Sequence, residues 1–217
     1  IPMEAVTKEP RLYTDYISNV FVDNELYAIK KGHLNTPEVV MITEDGDRKM
    51  SGFSSQTGKI RFSGNRLFWS ETMPDERWTM QTHSRIRFMK GRLVNGNAVW
   101  SGDKNLSDDD RLLYNPSVSA DGKLIACVEY KVKGGSALVV LDADDGSVVR
   151  TEDAPDGLQL VETAWVGENV YATGISDDGY GIYTVDNGEW KTVLEAQPVM
   201  VKDFSSYGSE LIFTCDR

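Results

Sequence analysis

The segment Ala164-Trp-Val-Gly-Glu-Asn-Val-Tyr-Ala172 is an apolar strand, a tight polar turn and a second apolar strand. Apolar runs on both sides of a short turn of Gly, Asn or Asp are typical of a β-hairpin, because these residues tolerate the backbone angles of the turn. The pattern occurs five times in the 217 residues, at 20–29, 60–69, 116–126, 164–172 and 204–213. The chain is therefore built from repeats of one β-rich unit.

The repeats are regularly spaced. The first apolar residues after the turns are Leu26, Leu67, Leu124, Val170 and Leu211, and their spacings are 41, 57, 46 and 41 residues. Three of the four spacings lie near the length of a four-stranded propeller blade, which is about 40–45 residues. A second hairpin follows the first within the unit, as at 137–150 and 180–193. Each unit is thus predicted to contain four antiparallel strands.

These observations predict an all-β fold, a β-propeller with four-stranded antiparallel blades. About four and a half blades fit a single propeller region at 1–217. They lie at approximately 15–52, 58–102, 113–152 and 158–196, with a partial blade at 197–217. Because a propeller closes on itself to remove exposed strand edges, we expect the chain to be a fragment of a longer protein. The long second period predicts insertions at 73–82 and 102–110, and short helical turns are expected at 102–113 and 190–196.

The composition argues against several classes of function. Asp and Glu number 34 against 23 Lys and Arg, a formal charge of −11, whereas a nucleic-acid surface needs clustered basic residues. No apolar stretch is long enough for a membrane-spanning helix. Cys127 and Cys215 are too few for a disulfide framework and lack zinc-ribbon spacing, so we expect buried free thiols.

The sequence contains no recognisable catalytic motif. His33 and His83 are its only histidines, and neither a Gly-x-Ser-x-Gly elbow nor a His-Glu-x-x-His motif occurs. We therefore predict no catalytic residue, no metal and no cofactor, while a facing pair among the 34 acidic residues stays open. Asp142-Ala-Asp-Asp-Gly146 places Gly one position too early for an EF-hand loop, and we interpret it as a hairpin turn.

The segment Asn115-Pro-Ser-Val-Ser-Ala-Asp-Gly-Lys-Leu-Ile-Ala-Cys-Val128 resembles the blade signature of TolB-like propellers. That signature is usually Pro-x-x-Ser-Pro-Asp-Gly-Lys followed by Ile-Ala, and Ala120 stands here in place of the second Pro. The stretch 71–86, followed by Leu138–Asp142, is similar to large bacterial envelope proteins that carry such a propeller. The resemblance implies a six- or seven-bladed, WD-repeat-like propeller in the periplasm or at the cell surface. It also implies that the propeller binds protein partners or lies beside a peptidase-like domain.

Candidate binding residues border the insertion at 73–82, namely Arg77, Trp78, His83 and Arg85. Loops between the second and third strands of propeller blades share one face with the loops between blades, and Trp and Arg are enriched at binding hot spots. Two interpretations stay open. The insertion binds a ligand, or Trp78 only packs it onto its blade and His83 begins a strand. His33 is expected to be solvated.

Two functions follow from the predicted fold, the resemblance and the insertion. The first is a non-catalytic binding or scaffold module of a larger bacterial periplasmic or cell-surface protein. It would recognise a protein or peptide through loops on one face, at 31–37, 73–82, 131–136 and 176–180. The alternative is a propeller that gates or positions substrate for a peptidase or hydrolase domain outside this chain. Neither interpretation involves nucleic acid or a membrane span within the chain.

Overall fold

The computed structural model describes residues 14–22, 25–32, 36–53, 57–63, 65–75, 77, 82–94, 97–107 and 111–216. These residues form eighteen β-strands and no helix. Because the described residues hold no helix, none of them belongs to a helix that could cross a membrane.

The strands fall into four groups of four and a final pair. Blade one contains β1 (Thr14–Val22), β2 (Glu25–Gly32), β3 (Glu38–Thr43) and β4 (Gly46–Gly52). Blade two contains β5 (Thr57–Ser63), β6 (Arg66–Pro74), β7 (Thr82–Val94) and β8 (Asn97–Asn105). Blade three contains β9 (Leu112–Val118), β10 (Leu124–Tyr130), β11 (Ser136–Asp142) and β12 (Val148–Asp153). Blade four contains β13 (Gln159–Val166), β14 (Asn169–Ser176), β15 (Gly179–Asp186) and β16 (Glu189–Gln197), and blade five contains β17 (Val201–Tyr207) and β18 (Glu210–Cys215).

Each blade is a meander in which consecutive strands pair antiparallel. One parallel bridge, between Ser84 of β7 and Leu112 of β9, joins blades two and three into a continuous sheet. The turns follow the sequence signals. Between β15 and β16, Asn187 and Gly188 both have positive φ, at 51° and 81°, as a two-residue hairpin turn requires. The predicted all-β fold of four-stranded antiparallel blades is confirmed.

The hydrophobic core lies between successive blades rather than inside any one of them. Central strands are covered on both faces by neighbouring blades, so they are continuously apolar, and all of Ser136–Leu141 in β11 is buried. Outer strands are covered less, and Val148 and Val149 of β12 are about half exposed. Four apolar clusters fill the interfaces, centred on Tyr27 and Trp69, on Phe68 and Ile125, on Val128 and Leu160, and on Ala164 and Phe204.

The first strands of successive blades, β1, β5, β9, β13 and β17, contact one another in order and line the centre. Each of them is interrupted by a register shift relative to its second strand, which marks a β-bulge. Asn115 in the β9 bulge and Asp203 in the β17 bulge have positive φ, at 51° and 52°. Asn and Asp adopt this backbone conformation more readily than other residues with a side chain. The bulges change the direction of side chains along the inner wall.

The helical turn expected at 190–196 is wrong, because these residues lie within β16. Trp190, Leu194 and Ala196 are partly buried and lie two or four residues apart, which is the alternation of a strand. The turn expected at 102–113 is not helical in its described part either. Residues 102–105 end β8 and residues 112–113 begin β9, while 108–110 lie outside the described residues.

Candidate functional site

The loop between β6 and β7, at 75–81, joins the second and third strands of blade two, where an insertion was predicted. Its end of the propeller, with the loops at 131–135 and 177–178, is called the upper face below. The structure brings Arg77 and His83 together on the carboxylate of Asp75 and places Arg85 on a different carboxylate, that of Glu71. Trp78 lies outside the described residues, as does His33.

Asp75 fixes both ends of the loop. Its side chain is only 5 % exposed, and its Oδ2 lies 2.7 Å from Nε2 of His83, the second residue of β7. Its Oδ1 accepts a hydrogen bond of 2.7 Å from the backbone N–H of Arg77. One buried carboxylate thus ties the start of the loop to the strand that follows it. His83 begins a strand, as one of the two interpretations expected, and it also anchors the loop.

Of the candidates that the structure describes, Arg77 is the most available to a partner. Its side chain is 81 % exposed, and its Nε lies 3.8 Å from Asp75 Oδ1. An ion pair this exposed contributes little stability, because water screens it. The contact with Asp75 holds the backbone of Arg77 in place and leaves its guanidinium in solvent.

Arg85 is placed differently, within a nearly buried charge cluster. Glu71 Oε2 accepts hydrogen bonds from Arg85 Nη2 at 3.1 Å and Arg87 Nη1 at 2.6 Å. The side chains of Glu71, Arg85 and Arg87 are 11 %, 15 % and 18 % exposed. The guanidinium of Arg87 also lies 6.0 Å from the centre of the Trp69 ring. Because side chains alternate between the two faces of a strand, these groups lie on the same face as Trp69, which packs against blade one.

The charge cluster keeps Glu71 ionised. Burial acts to raise the pKa of Glu71, but hydrogen bonds and charge from Arg87 and Arg85 outweigh burial and lower it. With two guanidinium groups on one carboxylate, the cluster carries a net positive charge of one. Arg85 therefore stabilises the strands below the loop, while the side chain of Arg77 is exposed at its start.

A second group of polar residues lies on the inner strands and was not identified from the sequence. Burial lowers the pKa of Arg61 in β5, while the charges of Glu162 in β13 and Asp203 in β17 act to raise it. These three residues lie on the inner strands of blades two, four and five. Glu162 Oε2 also accepts a hydrogen bond of 3.0 Å from the backbone N–H of Phe204.

Side chains at the bulges also connect blades three and four. Asn115 Nδ2 donates to the carbonyl of Val161 at 2.7 Å, and Ser117 and Thr163 share a hydrogen bond of 2.7 Å between their buried hydroxyls. Trp165 Nε1 donates to the carbonyl of Ser117 at 3.2 Å. These bonds fix the inner wall between the two blades.

The other residues that were considered for metal binding or thiol chemistry are an acidic turn and two cysteines. The carboxylate of Asp142 accepts hydrogen bonds from the backbone N–H groups of Asp144 and Asp145, as expected for a turn. Cys127 is buried, and burial raises the pKa of its thiol far above the usual range. Cys215 is exposed, so the expectation that both thiols are buried is wrong for it. Among the described residues no group of three or more His, Cys, Asp or Glu could hold a metal ion.

Solved structures share this architecture over most of the chain. A puromycin-hydrolyzing peptidase of Mycobacterium tuberculosis matches 93 % of the chain with a TM-score of 0.61 and 11 % identity. The acylaminoacyl peptidase of Pyrococcus horikoshii matches 87 % with a TM-score of 0.53 and 11 % identity. The β-propeller domain of the Trilobed protease from Pyrococcus furiosus also matches 87 %, with a TM-score of 0.50 and 10 % identity. The fold is a β-propeller.

At these identities the likeness concerns the fold alone. The chain spans 34 % of the M. tuberculosis peptidase, 33 % of the P. horikoshii enzyme and 60 % of the P. furiosus propeller chain. No protein-family model matches the sequence, and comparison with curated proteins finds no significant match.

Proposed function

We propose that this propeller is a non-catalytic binding module of a larger, TolB-like protein of the bacterial periplasm or cell surface. It recognises a protein or peptide through the loops of its upper face. The observation that carries this proposal is the loop at 75–81. The buried carboxylate of Asp75 binds the backbone N–H of Arg77 and the ring of His83. The backbone of Arg77 is therefore held in place while its guanidinium is exposed. Such preorganisation lowers the entropic cost of binding.

A neighbouring loop of the upper face supports the proposal. In the loop at 131–135, Val132 is 89 % exposed between two lysines. Lys131 Nζ lies 2.5 Å from Asp153 Oδ1, which ties the start of this loop to the end of β12. The upper face thus combines an exposed apolar side chain with cationic groups. These are suitable contacts for a peptide with apolar and acidic residues.

The test uses displayed peptides selected on the wild-type chain and then measured against variants. Arg77→Ala and Trp78→Ala are each expected to weaken the selected peptides by about tenfold or more, as hot-spot residues do. Arg48→Ala is the matched control, because Arg48 is exposed on the outer strand β4 of blade one. Its affinity should stay within about twofold of wild type. Equal affinities for Arg77→Ala and Arg48→Ala would contradict the assignment of the upper face.

A second candidate is a propeller that gates or positions substrate for a hydrolase domain elsewhere in the parent protein. The specific observation in its favour is Glu162, a carboxylate on the inner strand β13 whose Oε2 accepts a hydrogen bond of 3.0 Å from the backbone N–H of Phe204 in β17. Two of the structures with this fold are peptidases, of which the chain spans about one third. In the natural full-length protein, Glu162→Gln would then change kcat/KM for a long peptide but not for a small ester. An equal effect on both substrates, or on neither, argues against gating.

A further inference from the structure

A cleft lies on the face of blade three that packs against blade two. Its volume is about 500 Å³, and sites for small ligands span about 300–1,000 Å³. Leu106 and Ser107, in the connection that leaves β8, line it together with residues 145–148 at the β11–β12 turn. Because a Cβ at Gly146 would lie 1.6 Å from the carbonyl oxygen of Leu106, the connection and the turn are in direct contact. The two segments that border the cleft are thus fixed against each other.

The floor of the cleft is apolar, and its rim exposes a valine. Leu113 and Leu141 line the cleft and belong to the buried cluster between blades two and three. Val148, the first residue of β12, also lines it and is 49 % exposed. Val149 is 55 % exposed, but consecutive residues of a strand point to opposite faces, so it lies on the other side of β12. An apolar side chain bound in the cleft would cover Val148, and burial of that surface favours binding.

Arg111 supplies a hydrogen-bond donor to the same cleft. Glu129 in β10 accepts hydrogen bonds from Arg111 Nε at 2.7 Å and Nη2 at 2.6 Å, and this bidentate pair fixes the guanidinium. The two side chains are 28 % and 14 % exposed. The pair uses one edge of the guanidinium, and within the described ranges Arg111 Nη1 donates to no protein group. Because Arg111 lines the cleft, an oriented donor is available there to a ligand.

The charges around the cleft disfavour an anionic ligand. Glu129 balances the charge of Arg111, and Asp145 in the β11–β12 turn adds an exposed carboxylate, so two carboxylates accompany one guanidinium. A neutral carbonyl oxygen therefore suits Arg111 Nη1 better than a carboxylate does. Asp145 accepts a hydrogen bond of 2.8 Å from the backbone N–H of Ser147, and a carboxylate has room for further donors. It is thus an acceptor for an N–H group of a ligand.

A peptide is the ligand whose chemistry matches all three features. Its carbonyl oxygens are neutral acceptors, its N–H groups are donors, and an apolar side chain covers the exposed valine. A fatty acid also has an apolar chain, but its carboxylate would bring another negative charge near Glu129 and Asp145, which repel it.

We propose that this cleft binds an extended peptide segment through an apolar side chain. The side chain packs against Val148, a main-chain carbonyl oxygen accepts a hydrogen bond from Arg111 Nη1, and a main-chain N–H donates to Asp145. The described residues that line the cleft do not include any of the loop at 75–81. The site therefore goes beyond the proposed function and does not depend on Arg77.

The experiment follows the isotope-labelled methyl signals of Leu106 and Val148 by NMR while three probes are added to the chain. The first probe is an acetylated and amidated pentapeptide with a central leucine between alanines. The second has serine in place of the leucine, and the third is octanoate, an acyl chain with a carboxylate. We expect the leucine peptide to shift both methyl signals. The serine peptide and octanoate should each need at least about tenfold higher concentration for the same shift, because one lacks the apolar side chain and the other is an anion.

Variants locate the site. Val148→Ser should weaken the leucine peptide by about fivefold or more, while the matched control Val149→Ser should stay within about twofold of wild type. Arg111→Lys keeps a cation beside Glu129 but loses the second edge of donors, and should also weaken the peptide by about fivefold or more. Its control is Arg48→Lys, on an exposed side chain of blade one. Because Val148 is half exposed, its replacement preserves the fold, and unchanged methyl signals elsewhere in the chain verify this.

Four results would overturn the inference. They are equal responses to the leucine and serine peptides, a stronger response to octanoate than to the leucine peptide, equal affinities for Val148→Ser and Val149→Ser, and no shift by the leucine peptide at up to about 10 mM. Arg77→Ala should leave the response unchanged, since a loss would place the peptide on the upper face instead. Peptides selected on the upper face depend on Arg77 and not on Val148, so the failure of either proposal is distinguished from the failure of the other.

Discussion

Glu71 is the side chain whose removal tests the charge cluster of blade two most directly. In Glu71→Gln the shape of the side chain is kept, but Arg85 and Arg87 lose the charge of their common acceptor. A hydrogen bond to a charged group contributes about 1.5–3 kcal/mol, and three such bonds are affected, two from Arg85 at 3.3 and 3.1 Å and one from Arg87 at 2.6 Å. Because the three side chains keep some solvent contact, we discount this sum and expect a loss of about 2–4 kcal/mol in the free energy of unfolding.

The measurement is urea unfolding followed by circular dichroism, with thermal unfolding as a second readout. For a chain of this size the loss corresponds to a fall of roughly 5–15 °C in Tm. Glu38→Gln is the matched control, because Glu38 pairs with Lys49 at 2.8 Å but the lysine is 63 % exposed. It should cost at most about 1 kcal/mol. Similar small losses for Glu71→Gln and Glu38→Gln, or a loss for Glu71→Gln that is unchanged when Arg87 is already Met, would refute the reasoning.

Three further outcomes are expected. Gly146→Ala should destabilise the chain by more than about 1 kcal/mol in urea unfolding, because Gly146 has φ of 77° and a Cβ there would lie 1.6 Å from the carbonyl oxygen of Leu106; stability equal to wild type would show that this contact relaxes freely. A thiol reagent should label the exposed Cys215 in the folded chain and Cys127 only after unfolding, and rapid native labelling of both would contradict the burial of Cys127. Because the folded-state pKa of Glu71 is lowered, the stability that its ionised form contributes is present above about pH 4.5 and is lost as the pH falls through the folded-state pKa. The difference in the free energy of unfolding between wild type and Glu71→Gln should therefore shrink in acid. A difference that does not change with pH would argue against an ionised Glu71 in the cluster.

Most of the fold could be predicted from the sequence, since it depends on local patterns. The hairpin at 164–172 combines apolar flanks with a short polar turn, and these signals act within about ten residues. The failure at 190–196 has a definite cause. An outer strand such as β16 is covered on one side only, so its alternation is weak, and pairing with β15 decides its conformation.

The candidate site could be predicted only in part. The sequence predicted the insertion between β6 and β7, because a long segment with Trp and Arg is visible locally, while the binding role of Arg77 stays a prediction. It did not identify Asp75 as an anchor or Glu71 as the partner of Arg85, because both contacts cross the hairpin that β6 and β7 form. Arg61 and Glu162 lie on separate blades, about a hundred residues apart in sequence, and no local spacing reveals that both belong to the inner strands.

The bulges divide each inner strand into a part that packs between blades and a part that lines the centre. At a bulge the alternation of side chains between the two faces of the strand is shifted by one residue. The part of the strand that follows the bulge, next to the hairpin turn, keeps the apolar alternation that packs blades together. The part that precedes the bulge has an alternation of its own. Substitutions before the bulge of β13, as at Gln159, can therefore change the inner wall without changing the alternation that places Trp165 in the packing between blades. Related chains can diverge along the inner wall while the scaffold of their blades stays the same.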